Sequence, residues 1–241
     1  MLWPWEIISK VLSLNFTYRI NFDFDYRKIL EEYVSVKNKL TEIKHPSIGI
    51  DHDGGWKVVS LYSETGEASS VDKKLNNDTE PTEIINYFSY TNKIIKELLT
   101  KYNCKPRRIR FSTLKPKKQI NWHRDWDESI EHNNSRLHLP LIVNERCKSK
   151  LCHESYQWSP GGLYYGDYSF PHKIKNDGSH ERLHLIIDLK NPKNLFTDFE
   201  NFSREQYKRE KYKNLIIASF NIFYKYPKKF IRLLYSKNLN F

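Results

Sequence analysis

The chain has 241 residues, a formal net charge of +11, 39% hydrophobic residues and 15% aromatic residues. That length suits one large domain, or a domain with an appendage, with enough apolar surface for a sizeable core. No apolar run approaches the roughly 18 residues of a membrane-spanning helix. Cys104, Cys147 and Cys152 are odd in number and lack metal-ligand spacing, which argues against a disulfide framework. The segment "MLWPWEIISKVLSL" carries Glu6 and no basic leader, so no secretory signal is expected, and reduced thiols point to a cytoplasmic location.

Apolar residues at helical spacing (Ile29, Leu30, Tyr33, Val34) predict a helix over 26–41. The turn "IDHDGG" leads into the strand "WKVVSLY". Residues 66–80 are polar and read as a loop. "EPTEIINYFSYTNKIIKELLTKY" reads as one or two helices with Pro81 near a start. From Arg107 to Leu189, short alternating segments punctuated by Gly and Pro predict a β-barrel or jelly roll with flanking helices. In "PGGLYYGDYSF", Gly161 and Gly162 mark a tight turn expected to deliver His172. Residues 190–241 are helical in pattern. The expected organisation is a helical segment over 1–47, the barrel or jelly roll over 48–190 and a basic helical extension over 191–241.

The stretches "NWHRDWD" and "FPHKIKNDGSHERLHLIIDL" carry the chemistry. On a strand, His123 and Asp125 share a face while Arg124 points away. With His172 they make two imidazoles and one carboxylate, the facial set of non-heme Fe(II) oxygenases, which leaves metal positions open for reaction. In "RLHLIIDL", Arg182 and His184 share one strand face and Leu183 and Leu185 the other. A guanidinium ten residues after His172 suits the far carboxylate of a dicarboxylate. A His-x-Asp pair alone is also explained by a strand edge at the surface, and Arg182 alone by a surface ion pair. Their combination carries the weight.

The matching segments "RFSTLKPKKQINWHRD", "SRLHLPLIVN", "GGLYYGDYSFPHKIKN" and "RLHLIIDL" resemble the aspartyl/asparaginyl β-hydroxylase family of Fe(II)/2-oxoglutarate dioxygenases. The pattern is nearest to the branch that hydroxylates free proline. With "DHDGGWKVVSLYSETGE" and the helical segment after it, the resemblance covers about residues 48 to 190 and implies a double-stranded β-helix, a cupin-like jelly roll, over that span. It implies that His123, Asp125 and His172 bind iron, that Arg182 grips the remote carboxylate of 2-oxoglutarate, and that Ser112, Arg136 and His138 face that co-substrate. It implies hydroxylation of an unactivated C–H with O2, releasing succinate and carbon dioxide. Asp125 is a departure from strict aspartyl hydroxylases, which lack the carboxylate ligand, and it argues against halogenation. A longer gap from Asp125 to Arg136, "WDESIEHNNS", predicts a loop beside the metal.

From Lys211 onward there are seven basic residues and no acidic ones, interleaved with large apolar side chains. The leading reading is a pair of helices whose apolar stripe covers the barrel while the lysines face water. A basic amphipathic segment on an anionic membrane surface is the second. Nucleic acid ranks last, because no recognisable nucleic-acid module accompanies the charge. Three functions compete: hydroxylation of a free amino acid or similar small molecule, the same chemistry on a peptide or protein side chain, and a non-catalytic cupin-like binding module. The complete triad and Arg182 disfavour the third. Trp126, Trp158 and Tyr164 read as barrel packing, with pocket lining as the alternative.

Overall fold

The computed structural model describes residues 2–70, 78–126, 128–202 and 209–237, so residues 71–77 of the expected polar loop and Asp127 of the loop after Asp125 lie outside the described residues. In chain order the elements are α1 (Pro4–Val11), β1 (Thr17–Ile20), α2 (Tyr26–Val36), β2 (Ile43–Lys44), β3 (Trp56–Ser63), β4 (Glu80–Pro81) and α3 (Ser89–Lys101). Then follow β5 (Lys105–Leu114), β6 (Lys118–His123), β7 (Asn134–Ile142), β8 (Cys147–Leu151), β9 (Glu154–Tyr156), β10 (Leu163–Gly166), β11 (His172–Asn176) and β12 (Arg182–Lys190). Two helices, α4 (Arg209–Phe220) and α5 (Tyr226–Lys237), close the chain.

The strands form two sheets. The larger runs β1-β10-β7-β12-β5-β3-β2, with β4 paired to β3, and the smaller runs β6-β11-β8-β9. All of these pairings are antiparallel. This is the expected double-stranded β-helix. The N-terminal 47 residues are not purely helical, because β1 and β2 enter the larger sheet at its two ends. The expected helix over 26–41 ends at Val36 and tightens into a 3₁₀ turn over Lys37–Lys39. Pro81 lies in β4 rather than at a helix start, and α3 begins after a 3₁₀ turn at Glu83–Tyr87.

Strand alternation divides the larger sheet into two faces. Ile109 and Phe111 of β5, Leu137 and Leu139 of β7, and Leu183, Leu185 and Ile187 of β12 point outward into the main core, against Ile29 and Tyr33 of α2 and Ile94, Ile95 and Leu98 of α3. Those helices are held to each other by a carboxylate. Glu32 of α2 accepts from the Tyr90 and Thr91 amides at 2.6 and 2.9 Å and from the Thr91 hydroxyl at 2.7 Å, so an anion caps the amino end of α3. With this face covered, the inner face is free to be polar, and it carries the site.

Behind the smaller sheet a second core joins Trp5 of α1, Trp122 of β6 and Phe170 to Ile216 and Phe220 of α4. Leu215 is exposed, whereas Ile216 and Phe220 pack as expected within α4. Beyond it the expectation fails, since Ile222, Phe223, Tyr226, Phe230 and Ile231 are exposed. A π-helical turn at Asn221–Lys225 lies at the change. The wider turn shifts the phase of the helix that follows, so α5 no longer continues the packed stripe of α4. Deleting residues 211–241 removes two fully buried apolar side chains and uncovers Trp5 and Trp122. At about 1.5–3 kcal/mol for each side chain, a loss of roughly 3–6 kcal/mol is expected. Denaturant titration of the truncated chain checks it, and unchanged stability would contradict this packing.

Candidate metal centre

His123, Asp125 and His172 come together between the two sheets. Their candidate ligand atoms all lie within 4.8 Å of one another. His172 opens β11 and sits directly across from His123 at the end of β6, with ring centroids 4.1 Å apart. The register between β11 and β6 slips by one residue between Ile120 and His123. This bulge lets Ile120 face the interior core with Trp56 and Ile174 while Trp122 packs behind the sheet. His123 then points inward. Asp125 lies past the end of β6 rather than within a strand, and its amide donates to the Tyr168 carbonyl at 2.9 Å.

The turn that delivers His172 is not the glycine turn at 161–162, where Gly161 adopts φ +83° ahead of β10. It is the crossing between sheets at Asp167–Pro171. There Asp167 accepts from the Ser169 amide at 3.2 Å and hydroxyl at 2.5 Å, and Arg209 of α4 donates to it at 2.8 Å.

Both imidazoles are oriented by the backbone. His123 Nδ1 lies 2.8 Å from the Asn121 carbonyl and His172 Nδ1 3.0 Å from the Phe170 carbonyl. A carbonyl only accepts, so each Nδ1 donates and each Nε2 is the nitrogen left to face a metal. Burial depresses the pKa of His172 to about 3, with His123 adding to the effect, so the ring is neutral at physiological pH. Burial alone would raise Asp125, but the charge of Arg136 outweighs it and holds the carboxyl well below its usual range. Two imidazoles and an ionised carboxylate converging on one point fit Fe(II).

Arg136 sits across from Asp188 on neighbouring strands. It contacts Asp125 and also binds Asp188 at 2.7 and 3.0 Å and Glu128 at 3.0 Å. Arg110 and Arg108 reach Asp188 at 2.9 and 3.2 Å. Arg136 therefore touches the metal carboxylate, with its fork occupied by three acids, rather than standing free for a co-substrate. Asp188 was legible, because it shares the Arg182–His184 face of "RLHLIIDL". Glu128 had no sequence signal.

Arg182 is buried, 3% exposed, and its Nη2 lies 2.7 Å from His184 Nδ1. Inner-face contacts run from it toward the metal ligands. His184 Nδ1 meets His138 Nδ1 at 3.2 Å, His138 packs on Tyr168 at 5.0 Å, and Tyr168 packs edge-on to His172 at 4.7 Å. His138 Nε2 is buried with no hydrogen-bond partner among the described residues. Arg182 can only donate, so His184 Nδ1 accepts from it and His138 Nδ1 donates to His184 in turn. Burial and Arg182 keep the His138 ring neutral, so its Nε2 bears a lone pair and, against expectation, offers no proton to an anionic co-substrate. That leaves the buried Arg182 guanidinium as the group that fits an oxyanion. The open space at Arg182 is about 10 Å³, walled by Tyr156 and Trp158, so a dicarboxylate enters only if these side chains shift. Ser112 pairs with His184 across the strands, but its hydroxyl accepts from Trp56 Nε1 at 2.9 Å.

On the other side of the metal ligands a cleft of about 620 Å³ opens. His123, Asp125 and Trp126 line its floor, and α5 supplies one wall. Trp126 thus lines this cleft, while Trp158 lines the small space at Arg182 and stacks on Tyr164 at 4.9 Å.

A double-stranded β-helix with an inward His/Asp/His set and a buried arginine defines the class of Fe(II)/2-oxoglutarate oxygenases. The solved structure of a 2OG-Fe(II) oxygenase family oxidoreductase from Burkholderia pseudomallei shares this fold, with a TM-score of 0.50 at 12% identity, over 79% of this chain and 91% of that one. The chain belongs to the aspartyl/asparaginyl beta-hydroxylase family, whose sequence model matches residues 23–192. It is 30% identical over 91 residues, 37% of its length, to the aspartyl/asparaginyl beta-hydroxylases of Mus musculus and Homo sapiens. That stretch spans only 12% and 11% of those two proteins.

Proposed function

We propose that the protein is an Fe(II)/2-oxoglutarate-dependent dioxygenase that hydroxylates a free amino acid or similar small molecule. The observation that carries this reading is the cleft of about 620 Å³ opening on His123 and Asp125. Its volume falls within the roughly 300–1,000 Å³ of small-ligand sites. Iron held by His123, Asp125 and His172 would supply oxidation of a C–H bond at the expense of O2 and 2-oxoglutarate. The chain's own part is positioning. Backbone carbonyls fix both imidazoles, Arg136 holds Asp125, and Arg182 receives the co-substrate's far carboxylate. Three free thiols, with Cys147 and Cys152 buried in separate clusters, support a reducing cytoplasmic setting for the same reading.

Succinate release with Fe(II) and 2-oxoglutarate, screened across free amino acids, short peptides and lipids, tests it. Stimulation by small molecules alone is expected, and stimulation by peptides alone would replace the substrate half of the reading. Arg182→Ala is expected to raise the 2-oxoglutarate requirement roughly 10- to 150-fold, since a hydrogen bond to a charged group contributes about 1.5–3 kcal/mol. The Fe(II) requirement should move far less. Titrating each in turn against succinate release separates the two, and an equal shift in both would remove Arg182 from the co-substrate site.

A further inference from the structure

The wall that α5 gives to the cleft is basic. Lys225 at the end of the π-turn and Lys228, Lys229 and Arg232 of α5 all line it, at spacings that place them along one side of the continuous helical run. Arg124 joins them from the floor. The acidic residues among the described lining are Asp51 and Asp125, and Asp125 belongs to the metal site. Two of the cations have partners. Arg124 donates to the Ser169 carbonyl at 2.9 Å, and Lys228 donates to the Ile50 carbonyl at 2.6 Å. Among the described residues no carboxylate pairs with Lys225, Lys229 or Arg232.

These charges adjoin apolar surface. Trp126, 67% exposed, has the Arg124 guanidinium 4.4 Å and the Lys225 ammonium 5.3 Å from its ring. Tyr224 and Phe220 continue the surface inward toward Trp122. Lysines of a solvated helix face would spread their charge into water. Here four tail cations converge on one cleft beside a metal centre, where a divalent ion adds further positive charge. A low-dielectric cleft of one sign focuses its field on ligands of the opposite sign.

We propose that the primary substrate is a small molecule of net negative charge, a carboxylate or phosphate carried on an apolar or aromatic body. Its anion seats against Lys225, Lys229 and Arg232, its body lies on Trp126 and Tyr224, and the bond to be oxidised is presented to the His123/Asp125/His172 centre. This deepens the oxygenase reading and rests on it for the chemistry, but the cleft's selectivity is measurable without any turnover.

The experiment uses metal-free full-length protein and two fluorescent probes. 1-Anilinonaphthalene-8-sulfonate is an anion on an aromatic body, and N-phenyl-1-naphthylamine is the same body without the charge. The anion is expected to bind at least about tenfold more tightly. It should be displaced by hippurate or by phenyl phosphate but not by neutral hippuramide, and whichever displaces better names the anion. The triple charge reversal K225E/K229E/R232E should weaken the anionic probe at least about tenfold, since like-charge juxtaposition costs several kcal/mol. K225Q/K229Q/R232Q, which only neutralises exposed side chains, should fall between. Equal affinity for the two probes, or an anion affinity unmoved by charge reversal, overturns the proposal. Failure of the oxygenase reading looks different: iron-loaded protein would release no succinate with any compound, while the anion preference would stand.

Discussion

His172→Ala is expected to lose Fe(II) binding by well over 100-fold and to abolish 2-oxoglutarate turnover. Replacing only the outer partners of metal ligands already costs about 10- to 100-fold, and this change removes a ligand. His172 brings its Nε2 to the centre through a fixed sequence of contacts: the Asp167 turn, the Nδ1–Phe170 carbonyl bond and the pairing with His123 across the sheet. Besides His123, no other described histidine offers a ligand atom to this cluster, so none can replace it. Equilibrium dialysis against Fe(II) gives the binding loss, and succinate release gives the activity. A matched thermal melt of the metal-free proteins separates ligand loss from a packing defect at this buried position. Iron-dependent turnover equal to the parent's would remove His172 from the centre.

The metal set was legible because its signal is local chemistry at fixed spacing. His123 and Asp125 two residues apart, and Arg182 ten after His172, are patterns that survive without knowledge of the fold. The reason the two ligands share a side was less legible. A bulge in β6 and a residue beyond the strand's end achieve it, and neither a bulge nor an anchoring amide bond to Tyr168 has a sequence signature here. The inner face of the larger sheet shows a different difficulty. Arg110, Ser112, Arg136, His138, Arg182, His184 and Asp188 alternate with apolar residues as a solvent-facing set would, yet all are buried. Alternation reports that a strand has two unlike faces, not that the polar one meets water. The tail shows the same ambiguity on a helix. Lys225, Lys228, Lys229 and Arg232 read as a solvated side until the π-turn at 221–225 and the packing of α4 against α1 place them on the cleft. Helical spacing fixes which residues share a side but not what that side meets.

The buried charge network that supports Asp125 sets the largest stability effect. Asp188 is fully buried and accepts from Arg136, Arg110 and Arg108. Removing one partner of a buried ion pair costs about 3–5 kcal/mol, because the remaining charge is left desolvated and unpaired. Asp188→Ala takes a carboxylate shared by three arginines and leaves Arg110 with none among the described residues, while Arg136 keeps Asp125 and Glu128 and Arg108 keeps Glu128, so a loss at the upper end of that range is expected. At roughly 2–4 °C per kcal/mol for a chain of this size, the melting temperature should fall by about 10–20 °C. The isosteric Asp188→Asn keeps the shape and removes the charge, so it isolates the electrostatic part. The pH dependence has a definite sign. Burial opposes ionisation of Asp188, but Arg136, Arg110 and Arg108 outweigh it and hold its folded pKa well below that of an ordinary aspartate. The stabilisation is therefore fully present above the unfolded pKa of about 3.9 and is lost as pH falls below it toward the folded value. Urea titrations between about pH 2 and pH 7 should show the parent losing stability at the acid end. Asp188→Asn should lack this contribution and lose less stability in acid. A variant as stable as the parent at neutral pH, with an identical acid profile, would show that Asp188 holds no charge network in solution.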